Sequence, residues 1–156
     1  MALLREGDMR FMLICGAGAL LMAGPAMAEN WNSVTRTANN AFMVDVDAIS
    51  AVGDVTSAAL ATVPRNGDAG DYSHSIETYQ FRCAARQWRT AGLVDYNPDG
   101  TEADRMPEDS ASWEPVRANT LPDFLKQIVC DGARGDPPTW TSIKAFVDGG
   151  RQLPAA

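Results

Sequence analysis

The segment from Ile76 to Arg89 alternates between apolar and polar side chains, and this alternation constrains the fold more than any other feature of the sequence. The odd-numbered positions are apolar: Tyr79, Phe81, Cys83 and Ala85. The even-numbered positions between and around them are polar: Thr78, Gln80, Arg82 and Arg86. Because successive side chains of a strand point to opposite faces, the pattern predicts one long strand with a buried and a solvated face. A solvated sheet face is typical of antiparallel strands.

Shorter strand candidates lie on both sides of this segment. Turn-forming pairs such as Asn39-Asn40 and Gly53-Asp54 separate them, and Pro98-Asp99-Gly100 is a strong turn signal. Pro115 cannot donate to a ladder, so we expect the last candidate at a sheet edge. The candidates cover residues 31–36, 41–47, 55–63, 93–97, 101–105 and 112–117.

Two helices are predicted after the strands. The apolar residues of the first recur at helical spacing: Leu121, Phe124, Leu125, Ile128 and Val129. Thr120 and Asp123 resemble a capping box at its start, and Gly132 is a natural stop. The second helix contains Ile143, Phe146 and Val147, with Trp140 before them and Thr139 as the N-cap.

Together these elements predict an α+β fold. We expect a twisted antiparallel β-sheet of about six strands, with one or two C-terminal helices packed on one face and a single disulfide.

The first 28 residues have the organisation of a secretory signal peptide. Arg10 precedes an apolar stretch over residues 11–23, which Gly24-Pro25 interrupts. The following Ala26-Met27-Ala28 is a small-residue triplet of the kind that signal peptidase accepts. A membrane anchor is disfavoured, since it needs about 20 apolar residues.

We therefore expect residues 1–28 to be removed by cleavage between Ala28 and Glu29. The acidic residues Glu6 and Asp8 are unusual at the start of a signal peptide. Translation that starts at Met9 rather than Met1 would leave them out, so both start sites are considered. The protein is then exported, and we expect it to be periplasmic or secreted.

The two cysteines that follow the leader predict one disulfide. Cys83 and Cys130 form an even set in a chain sent to an oxidising compartment. Closing a loop of about 48 residues contributes roughly 4 kcal/mol in the chain-entropy model. A metal or redox site would need a Cys-x-x-Cys pair or nearby histidines, and the sequence has neither.

Composition excludes several classes of function. The 156 residues suit one ordinary domain, and 46% hydrophobic residues are too many for intrinsic disorder. Thirteen Lys and Arg against twenty Asp and Glu give a net charge of −7, which disfavours nucleic acid as a partner. No apolar run after the leader is long enough to span a membrane.

The sequence offers few residues for catalysis or metal binding. His74 is the only histidine, and no motif provides it with a nucleophile. Asp45 and Asp47 would share one strand face as solvated acids. The run from Asp95 to Gly100 matches the start of an EF-hand loop, but Met106 replaces the bidentate Glu, and a β-turn explains the run without an ion. We expect no enzymatic activity, no cofactor and no metal.

A basic and aromatic stripe is the one candidate for a partner-binding face. Arg82, Arg86 and Trp88 would lie together on the solvated face of the long strand. Alternatively, the arginine stems simply cover the sheet and pair with acids on neighbouring strands. The tripeptide Arg134-Gly135-Asp136 is too short to indicate a function.

The order of these features resembles the surface-adhesin protein E family of small exported bacterial proteins. The resemblance runs from Trp31 to Cys130 through these residues: Val44-Asp45-Val46-Asp47, Cys83, Arg86, Arg89, Tyr96, Trp113-x-Pro115 and Val129-Cys130. It implies a curved antiparallel sheet with a helix and a Cys–Cys bridge. It also implies an adhesin that binds extracellular-matrix and serum proteins of a host, although no binding residue transfers.

The resemblance divides the chain into a family domain over residues 29–132 and a linker with a short C-terminal helix over residues 133–156. It implies a non-enzymatic, adhesin-like binding module. This chain lacks the family's lipidation motif, since Ile14 precedes Cys15, and this disfavours anchoring at the surface. The alternative is a periplasmic structural or small-ligand-binding protein without an adhesive role.

The cleavage site can be tested directly. We expect N-terminal sequencing of the exported protein to begin at Glu29, because Ala26 and Ala28 satisfy signal peptidase. A mature protein that begins at Met1 or Met9 would contradict export by cleavage.

Overall fold

The computed structural model describes residues 29–154, which form eight strands and two helices. The strands are β1 (Trp31–Arg36), β2 (Asn40–Asp45), β3 (Ser50–Val52), β4 (Val55–Pro64), β5 (His74–Arg82), β6 (Gln87–Tyr96), β7 (Glu102–Pro107) and β8 (Glu114–Pro115). The helices α1 (Leu121–Val129) and α2 (Ile143–Asp148) follow the last strand. The predicted signal peptide, residues 1–28, lies outside the described residues.

The strands form one antiparallel sheet. Six of them follow the order β1-β2-β4-β5-β6-β7. The two others are short: β3 pairs with β4 across a turn at Gly53, and β8 pairs with the part of β6 that β7 leaves open. The predicted fold class, an antiparallel sheet with C-terminal helices and one disulfide, is confirmed.

The long strand predicted over residues 76–89 is wrong in its extent, because a turn divides it between β5 and β6. In this turn, residues 83–86, Arg86 has a left-handed backbone (φ 52°) and donates its N–H to the Cys83 carbonyl over 3.2 Å. The turn contains no Gly, Pro, Asn or Asp, the residues that usually mark turns. The alternating pattern therefore continues through it without interruption.

Strand β4 is buried on both sides, and each side has its own hydrophobic cluster. Ala58 and Leu60 point to one side and Ala61 and Val63 to the other, and each is at most 2% exposed. We call the first side the α1 face, since α1 covers it with Leu125 and Ile128. The second is the α2 face, covered by Ile143, Phe146 and Val147.

The sequence predicts one or two C-terminal helices on one face of the sheet. Helix α1 packs on one face, but α2 packs on the opposite face. The reason lies in neighbouring residues of β2. Met43 belongs to the cluster under α2 and Val44 to the cluster under α1, and both are fully buried. Because both faces of the central strands are apolar, each requires a helix to exclude water.

Helix α1 begins at the predicted N-cap but without the predicted capping box. The Thr120 hydroxyl donates to the Arg117 carbonyl over 2.6 Å. The Asp123 carboxylate accepts from the backbone N–H of Asn119 (3.1 Å), one residue before the N-cap. The side chains thus tighten the turn before the helix, and neither forms the reciprocal pair of bonds.

Helix α2 begins at Ser142, so the predicted N-cap at Thr139 is wrong. The Ser142 hydroxyl accepts from the Ala145 N–H over 2.9 Å. Trp140, just after Thr139, instead exchanges two backbone hydrogen bonds with Trp31, of 2.8 and 3.1 Å. This bridge extends the sheet by one residue pair and delays the helix.

The Cys83–Cys130 disulfide is present. Their Cα atoms are 5.6 Å apart, although 47 positions separate them in the sequence. Cys130 is the C-cap of α1, so the helix ends at the residue whose sulfur is bonded to Cys83. The bond joins the end of α1 to the turn between β5 and β6.

The second cluster predicts a strong effect of truncating α2. Phe146→Ala should lower the free energy of unfolding by about 3 kcal/mol or more, because it leaves a cavity where the ring is fully buried. Phe124→Ala is the matched control, since the Phe124 ring on α1 is 37% exposed and its loss should cost much less. Urea denaturation measures both, and equally small losses would contradict a second core beneath α2.

Candidate functional site

Two arginine side chains stack on one tryptophan at the end of the α2 face that is distant from α2. The guanidinium carbon of Arg82 lies 4.2 Å from the ring centre of Trp113, and that of Arg89 lies 4.7 Å from it. Both distances are within the range of cation–π attraction. We call these three residues the Arg–Trp surface.

The sheet holds the two arginines in place. Gln80 and Arg89 are paired across β5 and β6, and the Arg89 Nε donates to the Gln80 side-chain oxygen over 2.8 Å. The Nε of Arg82, 3.3 Å from the Asp54 carboxylate, forms an ion pair whose side chains are 38% and 75% exposed. Such an exposed pair is weak, so Arg82 keeps most of its capacity to bind another carboxylate.

Trp113 is positioned by the short strand that follows it. Glu114 pairs with Trp88 across β8 and β6. The Val116 N–H donates to the Arg86 carbonyl over 2.9 Å. These contacts fix the backbone after Trp113, whose half-buried ring covers the two arginines.

The predicted grouping of Arg82, Arg86 and Trp88 is wrong. Arg82 pairs with Gln87, so near this turn the even-numbered side chains of β5 share a face with the odd-numbered side chains of β6. Trp88 therefore points to the α1 face, where its ring stacks on Tyr79 with centroids 5.5 Å apart. Arg86 lies exposed in the turn between the strands.

Arg89 and Trp113 belong to this surface although the sequence pattern does not predict it. Arg89 was missed because a single long strand places it opposite Arg82, whereas a hairpin places the two together. The signal that could have indicated a hairpin was the run of small residues at Ala84 and Ala85, since neither contributes to a strand core. Trp113 comes from a distant segment, and local pattern alone does not reveal its neighbours.

His74 is half-buried rather than fully solvated. Its ring stacks on Tyr96 with centroids 4.3 Å apart and planes at 4°. Its Nδ1 lies 2.7 Å from the Tyr72 carbonyl, which only accepts, so Nδ1 carries the proton. Burial lowers the pKa of His74, and the imidazole is therefore neutral at pH 7.

Asp45, the last residue of β2, and Asp47, two residues after it, do not form a pair of solvated carboxylates. Asp45 is 7% exposed, and its Oδ1 accepts from the backbone N–H groups of Asn30 (2.9 Å) and Asp47 (3.2 Å). Asp47 itself is exposed. Asp45 therefore orders the entry to β1 and the exit from β2.

The EF-hand-like run forms a turn, as the sequence predicts. The Gly100 N–H donates to the Asn97 carbonyl over 2.9 Å. The Asp99 carboxylate accepts from the N–H and the hydroxyl of Thr101, at 2.9 and 2.6 Å. Within residues 29–154, no group of three His, Cys, Asp or Glu side chains is placed to hold a metal ion.

The tripeptide Arg134-Gly135-Asp136 lies against the body of the domain. The Arg134 guanidinium donates to the Ala133 carbonyl over 2.7 Å. A Cβ at Gly135 would lie 2.7 Å from the Ser33 carbonyl oxygen, so the chain passes close to β1 and needs glycine there. Gly135 therefore anchors the tripeptide to β1, while Arg134 and Asp136 on either side of it are exposed.

The geometry defines a small antiparallel domain with a cationic and aromatic surface. The model of one protein family, Surface-adhesin protein E, matches residues 31–131. The chain belongs to this family. No curated protein and no solved structure matches it significantly.

Family membership makes this an adhesin-like protein and favours a non-enzymatic binding role. The family range ends at residue 131, so it includes β1 to α1 and the disulfide but not α2. Among the described residues, no helix has the length and apolar character to cross a membrane.

Proposed function

We propose that this protein is an exported bacterial envelope protein that binds an extracellular protein partner through the Arg–Trp surface. The observation that carries the proposal is the stacking of Arg82 and Arg89 on Trp113 at 4.2 and 4.7 Å, on a part of the sheet that neither helical cluster includes. The description of the family as a surface adhesin supports binding as the role.

The residue types at this surface are those that dominate binding energy in protein interfaces. Trp and Arg are enriched among the residues whose truncation costs most. Stacking on Trp113 already restricts the guanidinium groups of Arg82 and Arg89, so binding loses less side-chain entropy. The terminal N–H groups of each guanidinium can donate two parallel hydrogen bonds to a carboxylate of the partner.

The partner predicted by this chemistry is a protein with an acidic patch. The whole chain carries a net charge of −7, so a basic cluster on it is locally distinct. Repulsion elsewhere on the surface would orient an acidic partner towards the arginines. By the family resemblance, host extracellular-matrix and serum proteins are the candidates.

Export is supported by two features of the chain. One is the predicted signal peptide over residues 1–28, with Glu29 as the first residue of the mature protein. The other is the Cys83–Cys130 bond, since disulfides persist in oxidising compartments.

The alternative function, a periplasmic protein that binds a small ligand, is favoured by a cleft beside Tyr72 and Tyr96.

A charge-matched pair of double variants tests the binding surface. Arg82→Ala/Arg89→Ala should weaken binding to a panel of purified extracellular-matrix and serum proteins by at least about tenfold, roughly 1.4 kcal/mol. Arg105→Ala/Arg117→Ala removes the same charge from exposed positions elsewhere and should change binding far less. Biolayer interferometry measures both.

Equal losses in the two double variants would show that net charge matters and the Arg–Trp surface does not. Thermal unfolding of each variant checks the fold. If the arginine variant unfolds, Trp113→Leu provides the second test, because it removes the ring and leaves both charges in place. Full binding by a folded Trp113→Leu variant would contradict the proposal.

A further inference from the structure

An aromatic cleft of about 320 Å³ lies at the other end of the α2 face. It is formed where the starts of β1 and β5, the end of β6 and the first turn of α2 meet. Its volume suits a small ligand or one long side chain. The lining residues that matter are aromatic or acidic: Glu29, Trp31, Tyr72, His74, Tyr96 and Asp99.

One wall of the cleft is a stacked pair of rings. His74 and Tyr96 face each other across β5 and β6 at 4.3 Å and nearly parallel. The hydrogen bond from Nδ1 to the Tyr72 carbonyl leaves Nε2 of the neutral imidazole as an acceptor. This wall therefore presents π-electron density and a lone pair, and it offers no positive charge.

The charges around the cleft are predominantly negative. The Glu29 carboxylate accepts from the Trp31 indole N–H through Oε2 (2.7 Å), and Asp99 accepts from Thr101 through Oδ1 alone. Among the described residues, one oxygen of each carboxylate is left to bind a ligand. Lys144 also lines the cleft, and its ammonium donates to the Asp148 carboxylate over 2.7 Å, so these two groups together add no net charge.

The protein itself shows how this cleft accommodates a cation. The Lys144 ammonium lies 4.1 Å from the centre of the Tyr72 ring, and it also donates to the Tyr72 hydroxyl. An ammonium over a tyrosine face with a carboxylate beside it is a favourable arrangement for organic cations. Tyr96, Glu29 and Asp99, which also line the cleft, supply the same types of group.

We propose that this cleft binds an organic ammonium group with a small apolar body. Charge complementarity favours a cation, and the aromatic walls favour one with attached carbon over a hydrated metal ion. In a chain cleaved before Glu29, the new α-ammonium adds one positive charge, which the two carboxylates still exceed. The ammonium group can belong to a free small molecule or to a lysine side chain of a bound protein.

This proposal is independent of the Arg–Trp surface. The cleft and that surface lie at opposite ends of β5, at His74 and Arg82, which an extended strand separates by roughly 26 Å. The cleft needs a cation and the surface needs an anion. Failure of one therefore leaves the other untouched.

The test is a titration of the purified protein followed by amide chemical shifts. Choline and its neutral isostere 3,3-dimethyl-1-butanol are compared first. We expect choline to shift the resonances of His74, Tyr96 and Asp99 and to bind at least about tenfold more tightly than the alcohol. Acetyl-Gly-Lys-Gly-amide against acetyl-Gly-Gln-Gly-amide then tests a lysine side chain as the source.

Matched variants identify the groups responsible. Glu29→Gln and Asp99→Asn should each weaken choline binding several-fold, while Glu114→Gln removes an exposed carboxylate at the other end of β6 and should not. Tyr96→Phe keeps the ring and should bind normally, whereas Tyr96→Leu should lose binding. Equal binding of the neutral isostere, or equal loss in Glu114→Gln, would overturn the proposal, as would the absence of shifts at the cleft.

Discussion

The burial of β4 on both of its faces is the constraint on which the rest of the structure depends. Leu60 and Ala61 are neighbours in sequence, point to opposite sides and are almost fully buried. A strand of this kind is stable only if both sides exclude water, so the sheet needs a helix above and a helix below. The C-terminal half of the chain supplies them in order, α1 on one face and α2 on the other.

This arrangement also determines where the protein can bind. On the α2 face, α2 packs over β1, β2 and β4, while one end of β5 and β6 lies at its edge, at His74, and the other lies beyond it, at Arg82. On the α2 face, these ends carry the Arg–Trp surface at Arg82 and the aromatic cleft at His74, with opposite electrostatic character. The disulfide joins Cys83, next to Arg82, to the end of α1. It therefore restricts the motion of the turn that carries the Arg–Trp surface.

Much of this fold follows from local patterns, and the differences have definite physical causes. Strand alternation, the Asp99-Gly100 turn and the helical spacing from Leu121 predicted the elements, and the two cysteines predicted the bond between them. The turn after Arg82 was missed because alanines and an arginine form it. That error alone reversed the orientation of Trp88 and hid the fact that Arg82 and Arg89 lie on the same face of the sheet. Trp113 joins them through tertiary contacts, which one sequence does not encode locally.

Hydrogen–deuterium exchange of the protein with and without a bound extracellular protein tests the central claim most directly. The claim is that the β5–β6 end of the α2 face is the binding surface. It predicts slower amide exchange over residues 80–90 and 111–116 in the complex, with α1 unchanged. Slower exchange confined to α1 and β1, with none over those residues, would contradict it.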